Sequence, residues 1–200
     1  MNDFLAFALF AFVASITPGP TNVLVLAHSA RHGFMASLPI VLGACTAAAG
    51  IVWLVGLGLG DWLTARPAVA RVMGWAGIAW LAWLAWRLFA SAAADPRAEA
   101  AKPAARLGIG GAAALQLVNP KVWMMALAVV GVFAVGDGST GERVARLAIL
   151  FLLISLPCMA LWAGLGAGAA RVIRSAGALR RFNQAMALLL LLSAWLSRPG

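Results

Sequence analysis

Thr17-Pro18-Gly19-Pro20-Thr21-Asn22, inside the first apolar run of this chain, and Asn119-Pro120-Lys121, inside the fourth, are the stretches that decide its architecture. Each lies about a dozen residues into a run long enough to cross a bilayer, which takes about 20 residues at a rise of about 1.5 Å each. Both breaks therefore fall near mid-membrane. Proline has no N–H and its ring collides with the carbonyl four residues back, so Pro18, Pro20 and Pro120 release the carbonyls of Ala14, Ile16 and Gln116 from helical pairing. In hydrocarbon such groups need partners, and unwound backbone is tolerated only where protein buries it or where it lines a watery cavity. Thr17-Pro18 and Asn119-Pro120 each read as an N-cap followed by proline at the first helical position. The expectation is two half-helices that begin at the midplane. Free N–H groups and roughly half a positive charge at each N-terminus suit a carboxylate. Interrupted segments at matching places in two halves of a chain point to a transporter's binding site.

Of the 200 residues, 64% are hydrophobic and 10% charged. Soluble domains carry about 25% charge, so the chain reads as an all-α integral membrane protein. Its net charge of +9 comes from basic residues clustered between apolar runs, which is the pattern of membrane topology, and no nucleic-acid partner is expected. Cys45 and Cys158 sit inside apolar runs without metal-ligand spacing or a second cysteine nearby in sequence, and read as small buried apolar residues. No metal and no cofactor are expected. Met1-Asn2-Asp3 brings no Lys or Arg ahead of the first run, so a cleaved signal peptide is not expected.

Six runs follow in order. The first spans about Phe4 to Ala27, and the second, about Phe34 to Gly60, is rich in Gly and Ala, which let neighbouring backbones approach closely in the bundle interior. Pro39 is a candidate kink in it. The third run, about Ala68 to Ala90, carries Trp75, Trp80, Trp83 and Trp86, with Arg87 at its end; tryptophan beside arginine fits the headgroup level. Ser91 to Arg106 is polar and reads as a cytoplasmic linker. The fourth run covers about Leu107 to Val135, a glycine-rich turn precedes the fifth, about Leu147 to Gly168, and the sixth is about Phe182 to Leu196.

This gives a first three-helix half over residues 1–90, a linker over 91–106 and a second half over 107–200. Three helices per half make the second half enter the membrane from the opposite side, so the expected fold is a 3+3 inverted-topology repeat of six transmembrane helices, with helices 1 and 4 broken. The first, third and fifth connections hold nine Lys and Arg, against five in the second, the fourth and the carboxyl terminus, which places both termini outside.

Ser15-Ile16-Thr17-Pro18-Gly19-Pro20-Thr21-Asn22, followed about a hundred residues later by Leu117-Val118-Asn119-Pro120-Lys121, resembles the lysine exporter (LysE/RhtB) family of small amino-acid efflux proteins. Gly33-Phe34 and the stretch from Gly74 to Arg87 support the likeness, which runs over Phe4 to Leu196. The resemblance implies a multi-pass protein of the inner (plasma) membrane that exports amino acids or close derivatives, with the proton-motive force as the usual driving force. The third run and Ala101-Lys102-Pro103 are most similar to the branch exporting cysteine and O-acetylserine. Trp80 stands where many relatives have Tyr, and Gly131-Val132-Phe133 where many have Pro-Gln-Phe, which bears on substrate identity.

Lys121 is the most informative residue, because a charge at that depth costs about 2.5 to 3.5 kcal/mol on insertion scales. The leading expectation is that it meets the substrate's carboxylate; a pair with Asp61 or another acid, or snorkelling, is the alternative. Thr17, Thr21, Asn22 and Asn119 offer side-chain donors and acceptors at the same depth, and a substrate ammonium suits the freed carbonyls and the oxygens of Asn22 and Asn119. The two asparagines could equally serve only as caps. Gly19 reads as room for close approach. The expected substrate-binding set is thus Thr17, Pro18, Gly19, Pro20, Thr21, Asn22, Asn119, Pro120 and Lys121, with a small amino-acid-like molecule and the lipid bilayer as partners. None of the six acids is plainly mid-membrane, and no proton-coupling residue is assigned. Gly164, Gly166 and Gly168 suit packing within or between protomers, which leaves a homodimer open. The competing classes are a structural or assembly subunit, a channel, and a membrane-embedded enzyme; no HExxH and no acidic metal cluster supports the last.

Overall fold

A computed structural model of the protein describes residues 2–91, 108–134, 139–172 and 175–196, and among these the chain is helical with no strand. α1 (Asn2–Ile16) and α2 (Pro20–His32) meet at the first break with a bend of 54°, and α6 (Ile109–Leu117) and α7 (Pro120–Phe133) meet at the second with a bend of 68°. Between the pairs come α3 (Phe34–Leu54), a π-helical turn over Val55–Leu59, α4 (Gly60–Thr64) and α5 (Pro67–Ser91). α8 (Thr140–Val172) and α9 (Ala176–Leu196) complete the order. Apart from Ser91, the linker expected at 91–106 lies outside the described residues.

The second break forms where the sequence places it. Asn119 is extended (φ −87°, ψ 105°), its Oδ1 accepts the backbone N–H of Lys121 at 3.2 Å, and Pro120 takes the first helical position. The first break is shifted by two residues from the expected Thr17-Pro18 cap. Gly19 is the N-cap (φ −156°, ψ 176°), without a side-chain bond, and α2 starts at Pro20. A residue that precedes proline is pushed out of the helical region, and Thr17 and Gly19 both do, so the helix resumes only after the second proline. The Thr17 hydroxyl turns back to the Val13 carbonyl instead of capping α2.

α3 runs through Pro39, close to its start, and the distortion lies further on, at Gly58 in the π-helical turn (φ +107°, ψ −5°). That region costs an L-residue about 1–2 kcal/mol. Gly58→Ala is expected to lower the melting temperature of the detergent-solubilised protein. Gly50→Ala, where an added methyl meets nothing within 4 Å, is expected to leave it unchanged or raise it.

α3 and α8 form the centre of the bundle. α1, α3, α7 and α8 share a core built from Phe7, Ala11, Val52, Ala126, Val129 and Phe151, while α2, α3, α6 and α8 share a second around Val25, Ile40, Ala44, Ala112, Met159 and Ala163. α5 and α9 flank the bundle, joined to α2 through Val23, Ala85, Ala187 and Leu190. Glycines set the closest approaches: a Cβ at Gly43 would lie 2.3 Å from the Ile109 carbonyl oxygen, and one at Gly166 2.3 Å from that of Leu26. Of the glycines on α8, Gly166 therefore packs within the protomer, whereas Gly164 and Gly168 face no described atom within 4 Å.

The outside of this bundle is apolar, with Leu5, Leu9, Phe12, Leu153, Leu161 and Leu188 exposed, and its inside holds Thr21, Asn22, Gln116, Asn119, Ser155 and Asn183. Such an inversion is what a bilayer imposes, and the chain is an integral membrane protein. Phe34–Thr64, Pro67–Ala90 and Thr140–Ala169 are each long and apolar enough to cross, and the two bent pairs bring the number to five if each is one span. α9, which carries the sixth apolar run, is not among them over the described residues. All four tryptophans of α5 are exposed, and the Arg87 guanidinium lies 4.9 Å from the Trp83 ring centre.

Candidate functional site

The end of α1 shows where its unpaired carbonyls go. Each non-proline residue carries a donor and an acceptor that burial obliges it to satisfy. The Ser15 carbonyl accepts from Asn22 Nδ2 on α2 at 2.9 Å, the Ile16 carbonyl from Trp162 Nε1 on α8 at 3.2 Å, and the Thr17 carbonyl from Lys121 Nζ on α7 at 2.7 Å. At the second break the carbonyl of Leu117, the last residue of α6, accepts from Trp123 Nε1 at 2.8 Å. Ile16 and Leu117 end their half-helices, and each receives an indole N–H.

Lys121 thus crosses from one break to the other. Its ammonium rests on the carbonyl-rich, negative end of α1, where the helix dipole favours a cation. No carboxylate among the described residues pairs with it, and Asp61 is exposed on α4. Gly19 makes the passage: a Cβ there would stand 2.9 Å from Lys121 Cδ and 3.1 Å from Nζ.

A second link joins the breaks through side chains alone. Asn119 Nδ2 donates to Thr21 Oγ1 at 3.2 Å and to Gln116 Oε1 at 3.1 Å, and Thr21 Oγ1 donates to Gln116 Oε1 at 3.2 Å. All three residues are buried, Asn119 to 2% exposure. Asn119→Ala removes the cap and leaves two buried groups short of a partner. It is expected to destabilise the protein by about 2 kcal/mol, seen as a lower melting temperature in detergent.

These residues open onto a cavity of about 460 Å³, its mouth included. Of the residues expected to bind substrate, Gly19, Pro20, Thr21, Asn22, Asn119 and Lys121 line it, whereas Thr17, Pro18 and Pro120 shape the breaks without lining it. Sequence reasoning missed Gln116, whose signal was a polar side chain in an apolar run four residues before a proline, and it missed the far wall. That wall comes from α3 and α8 and includes Ala44, Cys45, Ala48, Phe151, Ser155 and Met159. Cys45 and Cys158 are both buried, and of the two only Cys45 lines the cavity. His28 lies outside the cavity, bonded to Ser37 Oγ at 3.0 Å and packed against His32 with ring centres 4.6 Å apart and planes tilted by 43°.

The fold and site thus define a helical membrane protein with two helix pairs bent at prolines, whose ends meet around an open cavity with polar side chains at the breaks and a largely apolar far wall. The LysE type translocator family matches residues 12–196, and the chain belongs to that family. Among its relatives are the cysteine/O-acetylserine efflux proteins of Salmonella typhimurium (strain LT2), 31% identical over 190 residues, and of Escherichia coli (strain K12), 30% identical over 190 residues. Each alignment covers 94% of this chain and 94% of the relative. No solved structure matches.

Proposed function

We propose that this chain is a secondary transporter of the inner membrane that exports a small amino acid or a close derivative, and that the cavity between the two breaks is its substrate site. The observation that carries this reading is Lys121, an intramembrane cation 2.7 Å from the Thr17 carbonyl and without an acidic partner among the described residues. An ammonium has three donors. Thr17 takes one, and a substrate carboxylate takes the others while facing the N-terminal turn of α2. The substrate's own ammonium finds acceptors in Asn22 Oδ1 and in the Ala14 carbonyl that Pro18 releases. Asn22 suits this better than Asn119, whose amide is committed to Thr21, Gln116 and the cap of α7.

The names of the relatives favour cysteine and O-acetylserine as first candidates. Alternating access in this reading is the movement of two inverted three-helix halves, 1–90 and 107–200, joined by the 91–106 linker on the cytoplasmic side, with α9 as the sixth span. The matched places of the two bends, after α1 and after α6, support that equivalence. The proton-motive force drives the cycle.

The test is efflux from proteoliposomes preloaded with labelled lysine, arginine, threonine, homoserine, leucine, cysteine or O-acetylserine. Saturable efflux of one chemical group, enhanced by an imposed proton gradient and returned to baseline by a protonophore, is the expected result. Folded, reconstituted protein that moves none of the panel would overturn the reading.

A further inference from the structure

We propose that Ser15 is a specificity-determining residue of the cavity, donating its hydroxyl hydrogen to an acceptor on the side chain of a short, neutral substrate. This rests on the cavity being a substrate site. Ser15 is 8% exposed, lines the same cavity as Lys121, and its Oγ has no hydrogen-bond partner among the described residues. Serine in a helix ordinarily returns its hydroxyl to a carbonyl one turn back, and an unpaired buried hydroxyl is a cost that something must repay. Other buried serines here are paired: Ser155 bonds the Leu152 carbonyl at 3.1 Å and Ser37 the Gly33 carbonyl at 3.2 Å, each within its own helix, and Ser29 reaches across to the Ala163 carbonyl of α8 at 2.6 Å. Ser15 stands apart from them. Its backbone is held in place by the bond from Asn22 Nδ2 to its carbonyl, while the unpartnered hydroxyl, closed to solvent in the substrate-free protein, is free to turn about χ1 toward an incoming acceptor.

The rest of the wall limits what the partner is. No carboxylate among the described residues lines the cavity, so a lysine or arginine side chain would find no acidic partner there. Ala44, Ala48, Phe151 and Met159 make the far wall apolar. A side chain that ends in a hydroxyl, thiol or ester meets both conditions, being uncharged and able to accept one bond.

The experiment compares serine, cysteine and O-acetylserine with 2-aminobutyrate, which has a methyl in place of the hydroxyl or thiol, in reconstituted wild type and Ser15→Ala. The wild type is expected to export serine, cysteine and O-acetylserine about tenfold better than 2-aminobutyrate, and Ser15→Ala to erase that preference while still moving 2-aminobutyrate. Because the hydroxyl has no partner to lose, the melting temperature of substrate-free Ser15→Ala stays the same or rises. A preserved preference in Ser15→Ala, or a uniform loss of all four activities with a lowered melting temperature, overturns the proposal but leaves the exporter standing. Wild type that moves none of the four overturns both.

Discussion

Lys121→Ala is expected to lower efflux by about ten- to hundredfold at low substrate concentration, the worth of a hydrogen bond to a charged group. Its melting temperature should hold or rise. The two halves of this expectation come from one fact: the half-buried ammonium, at the break of an apolar helix pair, is bonded to the Thr17 carbonyl and to no acid among the described residues. Removing it spares the protein the cost of carrying a charge at that depth, about 2.5 to 3.5 kcal/mol on insertion scales, so the fold gains while the site loses its anion-binding group. Lys121→Arg should recover only part of the activity. The planar guanidinium is bulkier than an ammonium, and the side chain already passes within van der Waals distance of Gly19. Full transport by a stable Lys121→Ala protein would remove the lysine from the mechanism.

Gly77→Ala should be the most damaging single methyl in the chain. A Cβ at Gly77, on α5, would stand 1.8 Å from the Val118 carbonyl oxygen and 3.5 Å from Pro120 Cδ. The obstacle is backbone at the second break, which cannot swing aside as a side chain does. Either α5 moves away from the break or the break reshapes, and overpacking of this kind costs about 1–3 kcal/mol or more. The expected outcome is a melting temperature lower than that of the wild type by several degrees and little or no transport by what remains folded. A Gly77→Ala protein with wild-type melting and efflux would show that the contact between α5 and the second break is dispensable.

The chain carries the first-order architecture openly. Proline inside a long apolar run has so few tolerable environments that Pro18, Pro20 and Pro120 announce two broken spans, and Asn119 announces its own cap. What stayed hidden depends on register and on distant packing. The start of α2 turned on which of two prolines governs, and steric restriction of the preceding residue decides for the second. Cys45 and Ser155 reach the cavity because α3 and α8 pack across it, which no local pattern reveals. Lys121 was recognised as a charge in need of compensation, but an acid was the natural partner to seek; a carbonyl left over from another half-helix carries no sequence signature of its own. The Gly77 contact is equally invisible, since any glycine in an apolar run reads as a generic small residue.

The three acceptors at the end of α1 are held by side chains from three separate segments: Asn22 of α2, Lys121 of α7 and Trp162 of α8. A helix end bonded by a single neighbour would have to let go all at once, with every lost bond counted in one barrier. Here the bonds can be surrendered one after another as each segment departs, and the incoming ammonium can take over a vacated carbonyl before the next is exposed. In the proposed transport cycle, opening of the first break would then be a staircase of small steps rather than a single tall step.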